Sequence, residues 1–300
     1  MNVFGKLREE YKGKKISVLG HDVPDTDTVL ATELFCRFAR RAGIDVCPIR
    51  TGSIGEKERG VFAEHGIDFD GWTDRTTSDS LLFLVDCHTT ARPGTPVGCI
   101  DHHPTTEPIP EPLSGIYLNG RFSSAAAEVM RQAKREGIDV DADDEIIALI
   151  SIYMDTQSMI SPKFDKNDLP MMDEITEKYG LDREKLIRLG MCFTNLDAPA
   201  ETVAFGGTKY HEFGAHKAAS SHIEAEKVPE ELARRCAEIC DRRRREEGLE
   251  LWLLFVAEPL TPRSVIYELT DDGCVCTEYD RMLSRSVDII PALEKKYSVL

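Results

Sequence analysis

The sequence predicts an α/β protein with a mostly parallel, doubly wound N-terminal sheet and a smaller α+β C-terminal domain. Short apolar runs alternate with helical stretches over residues 1–190, which is typical of parallel sheets covered by helices on both faces. Strands outnumber helices after residue 207. In addition, a length of 300 residues is sufficient for two domains.

The elements of the first part follow from their apolar patterns and end signals. Apolar β-like runs predict strands at residues 16–20, 45–49, 81–86, 97–101 and 115–118. Amphipathic stretches predict helices at residues 28–42, 123–137 and 143–159. Either Ser123 or Ser124 would be the N-cap of the second helix. Two further helices are expected between residues 164 and 190, separated near Gly180.

Residues 191–207 are rich in Asn, Pro, Ala and Thr and contain paired glycines, so we predict a linker there. The first domain would then be residues 1–190 and the second residues 208–300. Within the second domain the pattern predicts strands at residues 215–225, 250–257, 264–268 and 274–277, and helices at residues 229–247 and 286–296.

The chain is acidic, with 37 Lys and Arg against 53 Asp and Glu and a net charge of −16. Such a surface repels nucleic acid and anionic membranes, so we expect neither as a partner. No apolar run approaches the length of a membrane span, and residues 1–15 lack an apolar export segment, which favours the cytoplasm. The nine cysteines are expected to be reduced thiols. A zinc site is the less favoured alternative, and it would use Cys236, Cys240, Cys274 and Cys276.

Acid and histidine side chains recur where strands or helices of the first domain end. They are, in chain order, His21, Asp25, Asp27, Asp86, Asp101, His102, His103 and Asp155. Carboxylates and imidazoles at the carboxyl edge of a parallel sheet can bind divalent metals. Two such ions would bind phosphate and generate hydroxide from water.

Each of these signals also has a purely structural explanation. An Asp at a strand end is often a helix cap, and acidic turns are common. Asp155 is harder to explain in this way, because an unpaired carboxylate in an apolar stretch costs several kcal/mol and metal ligation removes that cost. The four motifs together therefore indicate a metal site.

The order of the motifs HDVPDTD, LVD, IDHH and MDT resembles the DHH phosphoesterase superfamily. The second half resembles the C-terminal DHH-associated domain of manganese-dependent inorganic pyrophosphatases. The resemblance is carried above all by LSRSVDIIP at residues 283–291, where that family has Ser-Arg-Lys-Lys-Gln-Val-Val-Pro. The resemblance implies a metal-binding first domain and a second domain that closes on the substrate.

The resemblance also implies two divalent metal ions, with Mn²⁺ expected and Co²⁺ or Mg²⁺ as alternatives. Asp86 would bridge the two ions. The other ligands would be His21 and Asp25 for one ion, and Asp27, His102 and Asp155 for the second.

The same resemblance suggests the residues that contact the substrate. His103 would face the phosphate or the leaving group. Arg285, next to Ser284 and with Lys217 or its neighbour His216, would hold the distal phosphate. The implied mechanism is attack on phosphorus by a hydroxide that bridges the two metals.

The chain departs from the family pattern at several positions. Val23 replaces an Asn, and His88 stands one residue beyond the family's second-motif His, where a shifted ligand or a role behind the ligands is expected. Ser286 and Ile160 stand where the family has lysines. These two losses remove positive charge that a compact pyrophosphate needs.

Three functions compete for this pattern. The first is hydrolysis of inorganic pyrophosphate, a small anionic substrate, by a cytoplasmic enzyme that could be a homodimer. The second keeps the metals but takes short polyphosphate, a nucleotide or another small phosphoester. The third is a sensor that binds phosphates without turnover, which the complete set of predicted ligands disfavours.

Overall fold

The computed structural model describes residues 2–104, 115–191, 193–214 and 216–297. The chain divides into two compact units. The first comprises Met1–Ser158 and Lys163–Gly190, and the second comprises Met159–Pro162 and Met191–Leu300. The α/β class and the two-part organisation that the sequence predicts are therefore confirmed.

The first unit is built on a five-stranded sheet in the order β2-β1-β3-β4-β5, and every pair of neighbours is parallel. Strands β1 and β3 are buried almost throughout, which explains why they appear in the sequence as continuous apolar runs. The strands are β1 (Ile16–Leu19), β2 (Val46–Pro48), β3 (Leu81–Val85), β4 (Thr95–Asp101) and β5 (Tyr117–Asn119).

Seven helices accompany this sheet within the described part of the unit. They are α1 (Val3–Glu10), α2 (Thr26–Arg41), α3 (Glu56–Glu64), α4 (Ala125–Arg135), α5 (Ala142–Asp155), α6 (Leu169–Lys178) and α7 (Arg183–Gly190). Ser124 is the N-cap of α4, and it is one of the two residues predicted for that position. The sequence does not predict α1 or α3. Asn2 is the N-cap of α1, since its Oδ1 accepts from the amide of Gly5 at 2.8 Å. Glu136 also accepts from the amides of Phe4 and Gly5, and a contact at that sequence distance is not visible in a local pattern.

Helix α5 ends at Asp155, four residues before the predicted end. The backbone then turns, because Gln157, Ser158 and Met159 have φ angles of 48°, 54° and 71°. The left-handed region cannot continue a right-handed helix. Asp155 therefore stands at the end of a helix rather than inside one.

The second unit contains a sheet in the order β10-β9-β8-β7-β6. Strands β7 and β8 pair in parallel, and the three other pairings are antiparallel. The strands are β6 (Lys209–Phe213), β7 (His216–Glu224), β8 (Leu251–Glu258), β9 (Arg263–Thr270) and β10 (Gly273–Tyr279). The helices are α8 (Ala200–Ala204), α9 (Glu230–Glu246) and α10 (Ile290–Tyr297).

Two predicted features of this unit differ in the structure. Residues 191–207, predicted as a linker, belong to the second unit and contain α8, whose Val203 and Ala204 are buried against the core that includes α9. Burial of these small apolar side chains outweighs the loop-like composition. The final helix, predicted from Ser286, begins at Ile290 and follows a π-helical turn over Arg285–Ile289.

The cysteines of the alternative zinc site do not come together among the described residues. Cys236 and Cys240 are buried on α9 and point at the carbonyl oxygens of α8, whereas Cys274 and Cys276 are exposed on β10. The zinc alternative is therefore wrong for the described part of the chain. Among the described residues, no helix has the length and apolar content that crossing a bilayer requires.

Candidate metal centre

The four acid and histidine motifs meet at one edge of the first sheet. His21 follows the end of β1, Asp86 follows β3, and His102 follows β4. Because the carboxyl ends of parallel strands lie at the same edge, these side chains converge there. Asp155 reaches the same place from the end of α5, and its Oδ2 atom lies 3.7 Å from Nε2 of His102.

Asp86 is at the centre of the cluster. Its Oδ2 atom lies 3.2 Å from Nε2 of His21, and its Oδ1 atom lies 3.1 Å from Nε2 of His102. The residue has a φ of 57°, which turns the chain sharply after β3, and its amide donates to the carbonyl of Ile100 at 2.8 Å. Asp tolerates this left-handed conformation better than most residues. The hydroxyl of Thr28 donates to Oδ2 at 2.6 Å and orients the carboxylate.

The geometry divides the cluster into groups of three side chains that could each hold an ion. In each group, one ligand atom per residue lies within 4.8 Å of the others. The groups are His21 with Asp25 and Asp86, Asp27 with His102 and Asp155, and Asp86 with His102 and His103. The first two groups together contain all six predicted ligands. His21 and Asp25 lie in one group, and Asp27, His102 and Asp155 lie in the other, as predicted. Asp86 belongs to the first group, and it also forms the third group with His102, which is a member of the second.

Two of the carboxylates are positioned by helix N-termini. Asp25 caps α2, because its Oδ1 accepts from the amide of Thr28 at 3.0 Å. Asp27 accepts from the first amides of α4, those of Ala125 at 2.6 Å and Ala126 at 3.0 Å, and from the hydroxyl of Ser151 at 2.6 Å. The positive ends of the helix dipoles stabilise these negative charges and hold them in fixed orientations.

His102 has the hydrogen bonding of a metal ligand. Its Nδ1 lies 2.9 Å from the carbonyl oxygen of Phe122, which can only accept, so Nδ1 carries the proton. In the metal-free cluster Nε2 holds a second proton, and a cation that displaces this proton would meet the lone pair of Nε2 and Oδ1 of Asp86. Both atoms are buried and have no hydrogen-bond partner among the described residues. Two buried acceptors that face each other fit a divalent cation between them.

The excess of negative charge in the cluster also favours the binding of cations. Burial, reinforced by the charge of Asp86, raises the pKa of Asp27 to about 8. Burial lowers the pKa of His21 and of His102, but neighbouring carboxylates outweigh it and raise both to about 10. For Asp86, burial raises the pKa, yet the two imidazoles hold it well below its usual range. The cluster retains protons because it contains more negative than positive charge.

Asp101 and His88 form a layer behind the cluster. The Oδ1 atom of the fully buried Asp101 accepts from the amide of His102 at 2.8 Å and from Nδ1 of His103 at 2.9 Å. Its Oδ2 atom lies 2.6 Å from Nδ1 of His88. His88 therefore positions Asp101. This is the role behind the ligands that the sequence analysis gave as the alternative to a shifted ligand. The sequence did not identify Asp101 as the residue that orients His103, although its place directly before the two histidines was the available signal.

Lys163 joins the cluster beside the predicted ligands; the sequence offered Lys163 or Lys209 as the basic residue that could replace the missing lysines. Its Nζ atom lies 2.9 Å from Oδ1 and 3.2 Å from Oδ2 of Asp155. Burial lowers the pKa of Lys163, but Asp155 outweighs it and raises the pKa above its usual range. Ile160 packs against the core of the second unit. The positive charge on this segment therefore comes from a lysine three residues after the predicted position.

Within the second unit, Arg285 is partly buried and donates to the carbonyl of Gly207 at 2.6 Å. Burial lowers its pKa. Burial and the charge of Arg285 lower the pKa of His211 to about 4 and of His222 to about 3. Ser284 caps the π-helical turn that carries Arg285, since its hydroxyl accepts from the amide of Val287 at 3.3 Å.

The structure distinguishes the two proposed companions of Arg285. Side chains alternate along β7, so His216 shares a face with Ala218, whereas Lys217 is exposed and lies on the opposite face. Ala218 belongs to the same buried cluster as Leu283, two residues before Arg285. This alternation favours His216 over Lys217. Nδ1 of His216 lies 2.6 Å from Oε2 of Glu250.

Comparisons with known proteins agree with this geometry. Residues 15–152 match the DHH family, N-terminal domain. Two relatives are named as probable manganese-dependent inorganic pyrophosphatases. The one from Bacillus licheniformis is 21% identical over 278 residues, and the one from Oceanobacillus iheyensis is 24% identical over 265 residues. Each alignment covers 84% of this chain and 85% of the relative.

One solved structure is similar to this chain in fold over most of its length. The crystal structure of a candidate family II inorganic pyrophosphatase from Methanococcus jannaschii superposes with a TM-score of 0.71 at 19% identity. The superposition covers 95% of this chain and 99% of that one. Residues 15–152 are therefore similar to the N-terminal domain of the DHH family, and over most of its length the chain is similar to proteins named as probable manganese-dependent inorganic pyrophosphatases.

Proposed function

We propose that this chain is a metal-dependent phosphohydrolase that cleaves inorganic pyrophosphate to two phosphates. The names of the relatives support the substrate, and the convergence of the six predicted ligands supports the dependence on metals. The observation that carries the proposal is the buried pair of acceptors, Nε2 of His102 and Oδ1 of Asp86. A sensor that binds phosphate without turnover does not require a carboxylate shared between two ion-binding groups.

The chain's own residues have defined tasks in this reaction. Divalent cations held by the cluster would supply a nucleophilic hydroxide and stabilise charge on the phosphate oxygens. Thr28 and Phe122 keep Asp86 and His102 in the orientation that holds these ions. Asp101 fixes Nδ1 of His103 as the donor, so Nε2 is the ring atom that can hold a proton for the departing phosphate. Arg285 supplies a guanidinium for the distal phosphate.

The test is a hydrolysis assay on protein stripped by a chelator and reloaded with Mn²⁺, Co²⁺ or Mg²⁺. We expect phosphate release from pyrophosphate, fastest with Mn²⁺, and its near-complete loss in His102→Gln. The exposed Asp79→Asn serves as a matched control and should retain wild-type activity. Tight binding of both metal and pyrophosphate without release of phosphate would contradict hydrolysis and favour a sensor.

A further inference from the structure

Three arginines line a cavity of about 360 Å³ in the first unit, and none of its lining residues has been assigned a role so far. Arg50, Arg59 and Arg92 share this cavity with two carboxylates, those of Asp70 and Asp74. Positive side chains therefore exceed negative ones in its lining. This is notable in a chain with a net charge of −16, where a phosphate can be captured only at local concentrations of positive charge.

Backbone carbonyls orient the arginines. Arg92 donates to the carbonyl of Asp74 at 2.6 Å and to that of Thr51 at 3.2 Å. Arg59 donates through Nε to the carbonyl of Ile54 at 3.2 Å. Neutral carbonyls fix the direction of these guanidinium groups, whereas carboxylates offset part of their charge. Arg59 contacts Asp70, and Arg50 lies 3.7 Å from Asp70 and 3.8 Å from Asp74. The buried Nε of Arg92 has no hydrogen-bond partner within the described residues, and the nearest carboxylate, that of Asp22, is 3.8 Å away.

The cavity adjoins the loop that carries two predicted metal ligands. Its wall includes Gly52, and a Cβ at that position would lie 2.7 Å from Cδ of Pro24 and 2.9 Å from the carbonyl oxygen of Asp22. Asp22 directly follows His21, and consecutive Cα atoms are about 3.8 Å apart. The carboxyl edge of a parallel sheet, where ligands bind, is therefore shared by the cavity and the metal cluster.

We propose that this arginine cavity binds a phosphate group of a substrate longer than pyrophosphate, while the phosphate that is hydrolysed lies at the metal cluster. The inference rests on the proposed function and extends its substrate class. Guanidinium forks bind phosphate oxygens in pairs, so the chemistry selects a phosphate over a neutral group. Such a phosphate is present in tripolyphosphate and in nucleotides.

The test compares steady-state kinetics on pyrophosphate, tripolyphosphate and a linear dinucleotide, using wild type and the double variant Arg50→Gln/Arg59→Gln. We expect KM for tripolyphosphate, the dinucleotide or both to rise about tenfold in the double variant. KM for pyrophosphate should change by less than about twofold, since the cavity is assigned only to the additional phosphate of a longer substrate. Unchanged pyrophosphate hydrolysis also shows that the variant folds. Arg234→Gln, an exposed change on α9, is the matched control.

The outcomes separate the inference from the function on which it rests. A change confined to tripolyphosphate assigns the cavity to polyphosphate, and one confined to the dinucleotide assigns it to nucleotides. Equal changes for all three substrates, or none, overturn the inference. If wild type hydrolyses none of them, the proposed function fails. In that case the cavity is tested by calorimetric binding of tripolyphosphate in the presence of Mn²⁺. Equal affinities of wild type and double variant would overturn the inference.

Discussion

At the scale of single residues, the metal cluster depends on Asp86. Its carboxylate approaches both His21 and His102, which belong to different ion-binding groups. A hydroxyl from Thr28 and the left-handed backbone hold it in this position. A bridging carboxylate neutralises two cations at once, so no other single side chain in the cluster should be as important.

The first prediction is that Asp86→Asn abolishes hydrolysis and weakens both metal sites. Asn preserves the volume and tolerates the φ of 57°, so the loss reflects charge rather than folding. We expect kcat to fall by at least about a hundredfold, more than the loss typical of residues behind the ligands. Elemental analysis after gel filtration measures the retained Mn²⁺. Two bound metals with most of the activity retained would refute the bridging role.

The second prediction concerns pH and the metal-free protein. The folded pKa values of His21 and His102, about 10, exceed the ordinary value of 6.5. The stability that they contribute is therefore complete below pH 6.5 and is lost as pH rises towards 10. The pKa of Asp27 is raised from 3.8 to about 8, so the stability that Asp27 contributes also falls as pH rises towards 8. The contributions of Asp25 and Asp86, whose pKa values are lowered, are constant over this window.

Thermal unfolding of metal-free protein should consequently show a Tm that falls between pH 6.5 and 10. Mn²⁺ replaces the protons as the source of positive charge, so Tm of the loaded protein should fall less. The double variant His21→Gln/His102→Gln, measured without metal, should lose most of the slope. A metal-free Tm that rises over this range would contradict the charge balance described above.

At the scale of elements, helix N-termini and a close contact between loops build the centre. Asp27, in the first turn of α2, is held by the first amides of α4, so two helices fix one ligand. Gly52, which follows β2, permits the chain to lie against Asp22 and Pro24. The ligand loop after β1 is therefore held on one side by a helix cap and on the other by this contact.

The third prediction is that Gly52→Ala weakens Mn²⁺ binding although residue 52 is not a ligand. The added Cβ meets the backbone of Asp22 and the ring of Pro24, so the loop that carries His21 and Asp25 must shift. Overpacking of this kind costs about 1–3 kcal/mol, and part of it should appear as reduced metal affinity. Titration with Mn²⁺ measures it. Gly60→Ala in α3 is the control, because its Cβ enters open space.

At the scale of the whole molecule, the cations that we propose for the substrate come from both units. Lys163 and the arginine cavity belong to the first unit, and Arg285 and His216 belong to the second. The lysines that the family resemblance predicts after the Ser-Arg pair and before Ser161 are replaced by Ser286 and Ile160. Ile160 instead packs in the core of the second unit, and the side chain of Ser286 lies outside the described part of the chain.

The fourth prediction is that Ser286→Lys raises the rate of pyrophosphate hydrolysis. A charge-assisted contact to a desolvated phosphate contributes about 1.5–3 kcal/mol. This corresponds to about ten- to a hundredfold in kcat/KM. The wild type should therefore hydrolyse pyrophosphate more slowly than its relatives. If the wild type is already fast and the variant is slower, another cation fills this role, and Lys163→Gln would then identify Lys163 by a comparable loss of activity.

Much of the first unit could be predicted because its signals are local. Strands β1, β3 and β4 are continuous apolar runs, and the ligands follow them directly, so sheet topology alone brings the ligands together. The short elements were missed for the opposite reason. Helix α1 has a local N-cap in Asn2, but its other N-terminal amides depend on the distant Glu136. Helix α8 has only five residues and is stabilised by burial against α9.

The sequence by itself determined the α/β class and the positions of the acids and histidines at strand and helix ends, and it therefore indicated a metal site. These follow from periodicity and from the rule that parallel strands share a carboxyl edge. Only the tertiary structure decided that Asp101 orients His103, that Lys163 pairs with Asp155, and that three arginines share a cavity beside the ligand loop. These features depend on distances between side chains whose approach is set by packing and backbone turns, which no local pattern encodes.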